Sequence, residues 1–368
     1  MQPSPIMRSR RRNSIALLAV ALVIAAISLA VYLRKRAAPE PARLLPSSDA
    51  VLYFNLKSVR RLTSFGSQPI GQREPEYEEF VRETGFQFER DLNEAAFAVH
   101  TVQRPPAYKG GPPGTEARYS EVFIGKFDGQ KLSGYLRKLS KSVERYRETD
   151  IFSIPVEDRT VRVAILDVDS VAASNVDDAS VVRGIIDRSR SAAMPFAGPP
   201  LLSDYYKKIP IGSLVWGIAK LPASANDPRI ARPFTLPGGI DILIPSESTL
   251  VASIRYLGSI HARAEFYTDS EVNAKRLADQ ATGFLTLFKT LELTAQGSAN
   301  DPDIRSALES LKIEQQDSRA ILTATVPAAF FKKLLEEPPV DVTGAKQDEP
   351  QEAKPAVKAA PKATPKKK

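Results

Sequence analysis

Cysteine is absent from this 368-residue chain, which contains only two histidines and one tryptophan. The lack of cysteine excludes disulfides, thiolate metal sites and a cysteine nucleophile. His100 and His261 are not spaced as a zinc-binding pair, and His261 alternates with apolar residues on the solvated face of a predicted strand. Glycine-rich phosphate loops and the Gly-x-Ser-x-Gly motif are also missing. We therefore expect no metal and no cofactor, and the composition favours a protein that is not an enzyme.

Positive charge is concentrated at the two ends of the chain. Residues 1–43 hold eight lysines and arginines against one acid, and residues 341–368 hold seven lysines against four acids. The body between them is nearly neutral, although the whole chain carries a formal charge of +8. A nucleic-acid-binding domain carries its charge on the fold itself. Nucleic acid is therefore not an expected partner unless the body lies in the cytoplasm.

One apolar run, Ile15 to Leu33, lies between clusters of basic residues. As a helix, these nineteen residues extend roughly 28 Å, close to the thickness of the hydrocarbon core of a bilayer. No other window is similarly apolar, so the sequence predicts a single-pass protein that contacts the lipid bilayer through residues 15–33. A cleaved signal peptide is the alternative, with Ser28-Leu29-Ala30 at the cleavage site. The run is, however, longer than the ~7–15 apolar residues usual in such peptides.

The orientation of this span does not follow from its flanking charges. Four basic residues precede the span and four follow it within the range over which the charge rule counts them. A short basic tail directly before the first apolar segment is how an export signal begins, and long domains cross membranes largely regardless of their charge. We therefore predict a signal-anchor in the inner membrane, with residues 1–14 in the cytoplasm and residues 37–368 outside it, in the cell envelope.

Residues 34–43 are predicted to form a linker. The body that follows is predicted to be α+β, with two diverged copies of one unit and a mainly antiparallel sheet. The copies are residues 44–200 and 201–337. The segment IPIGSLVWGIAKLP in the second copy resembles LLPSSDAVLYFNL in the first, with Trp216 in the place of Tyr53. Alternating apolar residues predict the strands Val51–Leu56, Ala95–Thr101, Glu121–Phe127, Tyr146–Ile154, Thr160–Leu166, Leu250–Tyr256, Ile260–Tyr267, Lys312–Gln316 and Arg319–Val326.

Local motifs indicate where helices and turns of the body begin. Asp178 is expected to cap a helix in the first copy, and Thr268 with Glu271 predicts a capping box in the second. Gly258-Ser259 predicts a two-residue hairpin turn. The helix after Thr268 has one apolar face, made of Leu277, Ala281, Phe284, Leu285, Phe288 and Leu291.

Two stretches of the body resemble a family of membrane-anchored bacterial envelope proteins. They are LPSSDAVLYFNL after an N-terminal anchor, and DSEVNAKRLADQ followed by LKIEQQDSRAILTATV. The resemblance covers about Leu44 to Glu337. No activity is established for that family, so the resemblance implies a fold type and an envelope setting but no mechanism.

The segment RVAILDVDSV is the strongest catalytic candidate in the body. A strand that leads into Asp167 and Asp169 resembles the first motif of haloacid-dehalogenase-type phosphatases. In that family the first Asp is the nucleophile, the second is a general acid/base, and both approach Mg²⁺. The further Ser/Thr, Lys and acidic pair of the family have no convincing counterpart here. A polar turn between strands explains the same residues, and a metal-dependent envelope hydrolase is the alternative function.

A sixteen-residue loop is predicted from Arg104 to Tyr119, where the second copy has only a tight turn. Loops of this length are usually binding elements or disordered segments. This one is the candidate partner-binding site, and a flexible insertion without a partner is the alternative. Its aromatic and cationic side chains are Tyr108, Lys109, Arg118 and Tyr119.

The C-terminal residues 338–368, rich in lysine, alanine and proline, have no periodic apolar face and are predicted to be disordered. Like charges on a proline-broken chain remain extended and solvated. The tail resembles those that bind anionic polymers, and an untargeted solubilising tail is the alternative. Its candidate polyanion-binding residues are Lys354, Lys358, Lys362, Lys366, Lys367 and Lys368.

These features together predict a membrane-anchored binding or scaffolding protein. Its extracytoplasmic body would bind a protein or an anionic polymer of the envelope. Neither the ligand nor the oligomeric state follows from the sequence.

Overall fold

The computed structural model describes residues 37–62, 75–104, 114–191, 198–221, 234–236, 240–294, 306–307 and 309–327. The predicted membrane span, the middle of the predicted long loop and the lysine-rich tail lie outside these residues. Within the described part of the chain, no helix combines the length and the apolarity needed to cross a membrane. The anchor and its orientation therefore stay predictions.

Twelve strands of the described chain form one large sheet, and two short strands pair separately. Most of the strands carry alternating apolar and polar residues, as a sheet between a core and solvent requires. The strands are β1 (Ala50–Asn55), β2 (Leu92–Arg104), β3 (Gly114–Gly125), β4 (Ser142–Tyr146), β5 (Thr149–Val156), β6 (Arg159–Asp167), β7 (Ser170–Ser174), β8 (Ser213–Leu221), β9 (Phe234–Leu236), β10 (Ile240–Ile242), β11 (Ser248–Tyr256), β12 (Ile260–Tyr267), β13 (Lys312–Gln316) and β14 (Arg319–Val326).

Helices pack on both faces of this sheet. Some of them begin with a recognisable local signal. For example, the Asp128 side chain accepts hydrogen bonds from the amides of Gln130 and Lys131 at the start of one helix. The helices are α1 (Glu40–Leu44), α2 (Leu56–Leu62), α3 (Pro75–Thr84), α4 (Phe88–Asp91), α5 (Gly129–Leu139), α6 (Ser180–Arg190), α7 (Pro200–Tyr205) and α8 (Glu271–Thr294).

The strand order in the large sheet is β13-β14-β12-β11-β8-β1-β2-β3-β7-β6-β5-β4. All neighbouring pairs are antiparallel. The coarse prediction of a mixed helix–sheet fold with a large antiparallel sheet is therefore confirmed. The two segments of similar sequence lie side by side at the centre of the sheet, where β1 pairs with β8 and Tyr53 lies opposite Trp216.

The main core lies on one face of the central strands, beneath α1, α6 and α7. Side chains of these helices, such as Leu44, Ile185 and Leu202, join a buried cluster with Tyr53 and Trp216. On the opposite face, α5 covers the first part of the sheet, and α8 packs on the strands of the second part. This division follows from strand geometry, because successive side chains of a strand point to opposite faces.

The helix starts agree only in part with the sequence motifs. Asp178 accepts hydrogen bonds from the amide and the hydroxyl of Ser180, as expected for a cap of α6. The predicted capping box of α8 is wrong: the Thr268 hydroxyl donates to the carbonyls of Ser270 and Ser318. The Ser270 hydroxyl instead accepts the amide hydrogen of Asn273 and caps the helix.

The β11–β12 turn comprises Leu257 to Ser259 and is one residue longer than predicted, since β11 ends at Tyr256 and β12 begins at Ile260. Gly258 has φ +84°. This left-handed conformation favours glycine, because other residues place Cβ too close to the backbone there.

Candidate ligand-binding site

A cavity of about 430 Å³ lies between α8 and the sheet strands beneath it. On the sheet side it is lined by residues such as Leu250, Ala264 and Phe266. On the helix side it is lined by residues such as Leu277, Ala281 and Phe284. The cavity therefore occupies an interface between a helix and a sheet that would ordinarily be filled by core side chains.

Small side chains keep this interface open. Ala264 and Ala320 contribute from β12 and β14, and Ala278 and Ala281 contribute from α8. The strand register aligns Ala320 with Phe266, and Ala264 with Leu322. Protein interiors normally have few voids larger than a water molecule, because opposing side chains interdigitate. Four alanines in one interface do not reach across it.

The corresponding side of the first half is packed with aromatic rings. Phe80 on α3 stacks on Phe88 with ring centroids 5.6 Å apart, and Tyr135 on α5 meets Phe80 edge-on at 5.6 Å. Phe86 stacks on Phe127 at 4.5 Å. These rings fill space that the alanines of the second half leave open.

The walls of the cavity are aliphatic and phenylalanine side chains, with almost no polar surface. The threonines along α8 satisfy their hydroxyls within the helix. Thr282, Thr286 and Thr290 each donate to the carbonyl four residues earlier, at 2.7, 2.9 and 2.9 Å. The described lining residues offer no group for proton transfer or metal binding, and their apolar surface suits an apolar ligand.

Asp167 and Asp169 lie at the exposed turn between β6 and β7. The Asp167 carboxylate accepts the amide hydrogen of Val168 at 2.7 Å, and the carbonyl of Asp169 accepts the amide hydrogen of Gly125 at 2.8 Å. Among the described residues, no three His, Asp or Glu side chains form a group that could hold a metal ion. The turn geometry agrees with the polar-turn interpretation of these two residues.

The predicted loop from Arg104 to Tyr119 has the wrong boundaries, because the two flanking strands continue into it. β2 extends to Arg104, and β3 begins at Gly114, so Arg118 and Tyr119 belong to a strand. Tyr108 and Lys109 lie outside the described residues. Of the four candidate side chains, Arg118 and Tyr119 therefore project from a strand, and the proposed partner-binding role stays a prediction.

Arg118 is held by acidic neighbours within the sheet. Its guanidinium lies 3.4 Å from Glu116 and 3.4 Å from Asp177. The Arg118 side chain is only 12% exposed. Tyr119, by contrast, is 40% exposed. Arg118 therefore acts in the described fold as part of an ion-pair cluster, and its predicted role in partner binding is untested.

His100 lies within β2 and belongs to a buried hydrogen-bond chain. Its Nε2 lies 3.0 Å from the Ser120 hydroxyl, which lies 3.0 Å from the Ser174 hydroxyl. Burial lowers the pKa of His100, and the charge of Asp49 opposes this effect. Ser120 is fully buried, so this Ser–His pair does not present a nucleophile to a substrate. His261 Nε2 lies 3.0 Å from the hydroxyl of Ser259 in the adjacent turn.

Sequence reasoning missed the cavity, although it identified part of its wall. Leu277, Ala281, Phe284 and Leu285 were predicted on one apolar face of α8, and they line the cavity. The available signal was the alanine content of this face and of the strand with Ala264. The sequence does not state which strand residues meet the helix. The candidate lysines of the tail lie outside the described residues.

Comparison with known proteins gives a distant structural likeness only. No protein-family model and no curated protein matches the chain. Structures of crystal forms III, IV and I of TP0453 are similar to it, with identities of 10%, 11% and 10% and TM-scores of 0.43, 0.40 and 0.39. They cover 81%, 82% and 82% of this chain and 97%, 99% and 97% of their own chains. The resemblance to membrane-anchored envelope proteins stays a prediction.

Proposed function

We propose that the protein is a membrane-anchored, extracytoplasmic binding protein whose body holds an acyl chain in the cavity beneath α8. The cavity carries this proposal. Its volume of about 430 Å³ lies within the roughly 300–1,000 Å³ of small-molecule sites. Its described lining is almost entirely apolar, which matches an apolar ligand. A ligand that fills the cavity gains about 25 cal/mol for each Å² of apolar surface removed from water.

The proposed class of ligand follows from the lining and from the predicted setting. The described residues of the walls offer aliphatic and phenylalanine contacts and include no charged side chain, so a polar headgroup would stay outside the cavity. The predicted span over residues 15–33 would keep the body beside a bilayer. Acyl chains are the apolar molecules available there at high local concentration.

Photo-crosslinking of the full chain tests this proposal. The protein is placed in lipid nanodiscs that contain a phospholipid with a diazirine on its acyl chain. After illumination, crosslinked peptides are identified by mass spectrometry. We expect crosslinks to peptides that contain Phe266, Ala281 or Leu322, in addition to the predicted span. Crosslinks confined to residues 15–33 would show that the body takes up no acyl chain.

Two substitutions on α8 provide a matched pair for this experiment. Ala281→Phe places a ring in the cavity and should remove the crosslinks to the body. Thr286→Phe adds the same ring at an exposed position of the same helix and should leave the crosslinks in place. Circular dichroism checks that both variants are folded. Should Ala281→Phe unfold, Ala264→Leu fills the cavity from the sheet side. Equal crosslinking in the cavity-filling and control variants would contradict the proposal.

The alternative function, a metal-dependent hydrolase, is tested by a phosphatase assay of the full chain with Mg²⁺ and p-nitrophenyl phosphate. Asp167 and Asp169 lie in an exposed turn, which gives no reason to expect phosphatase activity, so we expect no hydrolysis. Hydrolysis that disappears in Asp167→Asn would favour the hydrolase and contradict the binding proposal.

We also infer that residues 44–200 and 201–337 are diverged copies of one unit. In support, β1-β2-β3 is followed by α5 and by strands that return to β3, and β8-β11-β12 is followed by α8 and by strands that return to β12. The returning segment has four strands in the first half and two in the second. Superposition of the two sets of elements in an experimental structure tests this inference. Different paths of the aligned strands would contradict it.

A further inference from the structure

The chain enters the fold at one end of the sheet, a few residues after the predicted membrane span. Ala38 packs against the main core, and Pro39 lines a small pocket together with Ile211 and Trp216. Only six residue steps separate Leu33, the last residue of the predicted span, from Pro39. A chain extends at most about 3.6 Å per residue, so this segment reaches about 22 Å. A helix that ends at Leu33 would therefore keep this end of the sheet within about 22 Å of the end of the span.

Two large apolar side chains are exposed at the same end of the sheet. Ile211, in the loop before β8, is 52% exposed, and Leu257, in the β11–β12 turn, is 65% exposed. β8 and β11 are neighbouring strands, and Ser213 at the start of β8 lies opposite Arg255 near the end of β11. The two tips therefore extend from adjacent strands, which lie about 4.8 Å apart. Apolar side chains exposed together in this way are typical of an interaction site.

Basic side chains accompany these apolar tips. Lys207 and Lys208 directly precede the loop that carries Ile211, and both are exposed. The Lys208 ammonium, however, lies 5.8 Å from the centre of the Tyr267 ring. Tyr267 pairs with Thr249 near the start of β11, so the Lys208 charge points away from the two tips. Lys207 lines the same pocket as Pro39. Apolar side chains next to lysines match the chemistry of a bilayer surface with anionic headgroups.

We propose that Ile211 and Leu257, here called the Ile211–Leu257 edge, insert into the extracytoplasmic surface of the membrane that holds the anchor. Lys207 then lies at the level of anionic headgroups. The body rests on the membrane with the strand ends of β8 and β11 towards it. This inference rests on the proposed anchor but does not depend on the cavity beneath α8.

The absence of cysteine makes a site-specific test direct. Single variants Ile211→Cys and Leu257→Cys of the full chain are labelled with an environment-sensitive fluorophore. They are reconstituted into vesicles of phosphatidylethanolamine and phosphatidylglycerol, with and without brominated acyl chains. The control is Leu243→Cys, which is 42% exposed. It precedes β11, whose first residue Ser248 pairs with Leu221 at the other end of β8.

We expect brominated lipid to quench the label at positions 211 and 257 at least twofold more strongly than the label at position 243. Replacement of phosphatidylglycerol by phosphatidylcholine should reduce this difference. Equal quenching at the three positions, in protein that floats with the vesicles, would overturn the edge proposal and leave the anchor intact. Protein that fails to float with the vesicles would overturn the anchor, and the edge proposal with it.

Discussion

Tyr53 and Trp216 stack across the junction of β1 and β8, with ring centroids 5.3 Å apart and ring planes inclined by 23°. They are direct partners in the strand ladder, and both are almost completely buried. Tyr206 meets Trp216 edge-on at 5.4 Å, and the Tyr53 hydroxyl donates to Glu94 at 3.0 Å. The stack therefore joins the two halves of the sheet through the largest side chains of the central core.

Truncation of Trp216 should destabilise the whole sheet. We expect Trp216→Ala to lower the free energy of unfolding by about 3–5 kcal/mol, since it removes the ring and leaves a cavity. Trp216→Phe keeps a ring for Tyr53 and should cost clearly less. Urea denaturation of the detergent-solubilised chain, followed by circular dichroism, measures both losses. An equal loss in the two variants would contradict a role for the aromatic stack.

Glu265 should contribute to stability at neutral pH, and this contribution should be lost at acidic pH. Burial alone would raise its pKa, but hydrogen bonds from Arg263 and Tyr267, both 2.7 Å long, and the positive charges of Arg263 and Arg319 lower it below the ordinary value. A lowered pKa means that the folded state binds fewer protons than the unfolded chain. The stabilisation is thus present above about pH 4.5 and is lost as the pH falls through the pKa of the folded state.

The matching variant is Glu265→Gln, which keeps the shape but not the charge. We expect it to lower the free energy of unfolding at pH 7 by about 1.5–3 kcal/mol, the range for hydrogen bonds to charged groups. Its loss of stability between pH 6 and pH 3 should also be smaller than that of the wild type. Denaturation curves at several pH values measure both effects, and parallel pH profiles would argue against the predicted role of Glu265.

Gly125 should not tolerate a side chain. A Cβ there would lie 2.9 Å from the Asp91 carbonyl oxygen and 3.2 Å from the Phe127 ring. We expect Gly125→Ala to cost about 1–3 kcal/mol, because the backbone or the ring must shift. Gly114, at the other end of β3, would place its Cβ 3.8 Å from Arg104, and Gly114→Ala should cost much less. Thermal melting compares the two variants, and equal decreases in melting temperature would contradict the steric explanation.

The predicted orientation of the anchor is tested with reporter fusions after Glu337. Since the body is expected outside the cytoplasm, alkaline phosphatase should be active there and a cytoplasmic fluorescent protein should remain dark. The reverse pattern would place the body in the cytoplasm. It would also make nucleic acid or acidic lipid the expected target of the lysine-rich tail.

Local patterns predicted many elements of the body but missed others. The predicted strand Leu250–Tyr256 lies within β11, and Ile260–Tyr267 coincides with β12. The strands β2 and β3 were predicted too short. The outer part of this pair consists of polar residues, such as His100 opposite Arg118 and Gln103 opposite Thr115. Ladder hydrogen bonds use the backbone, so a strand continues where its side chains show no apolar alternation. The short strands β4 and β7 were missed for lack of a longer pattern.

The sequence by itself determined the positions of most strands and helices and which side of each is apolar, because these depend on periods of two and about 3.6 residues along the chain. Only the tertiary structure decided that β1 pairs with β8, and that alanines from β12, β14 and α8 meet to leave a cavity. The cavity arises from side chains that are distant in sequence. Their packing depends on the order and register of strands, which no local period encodes.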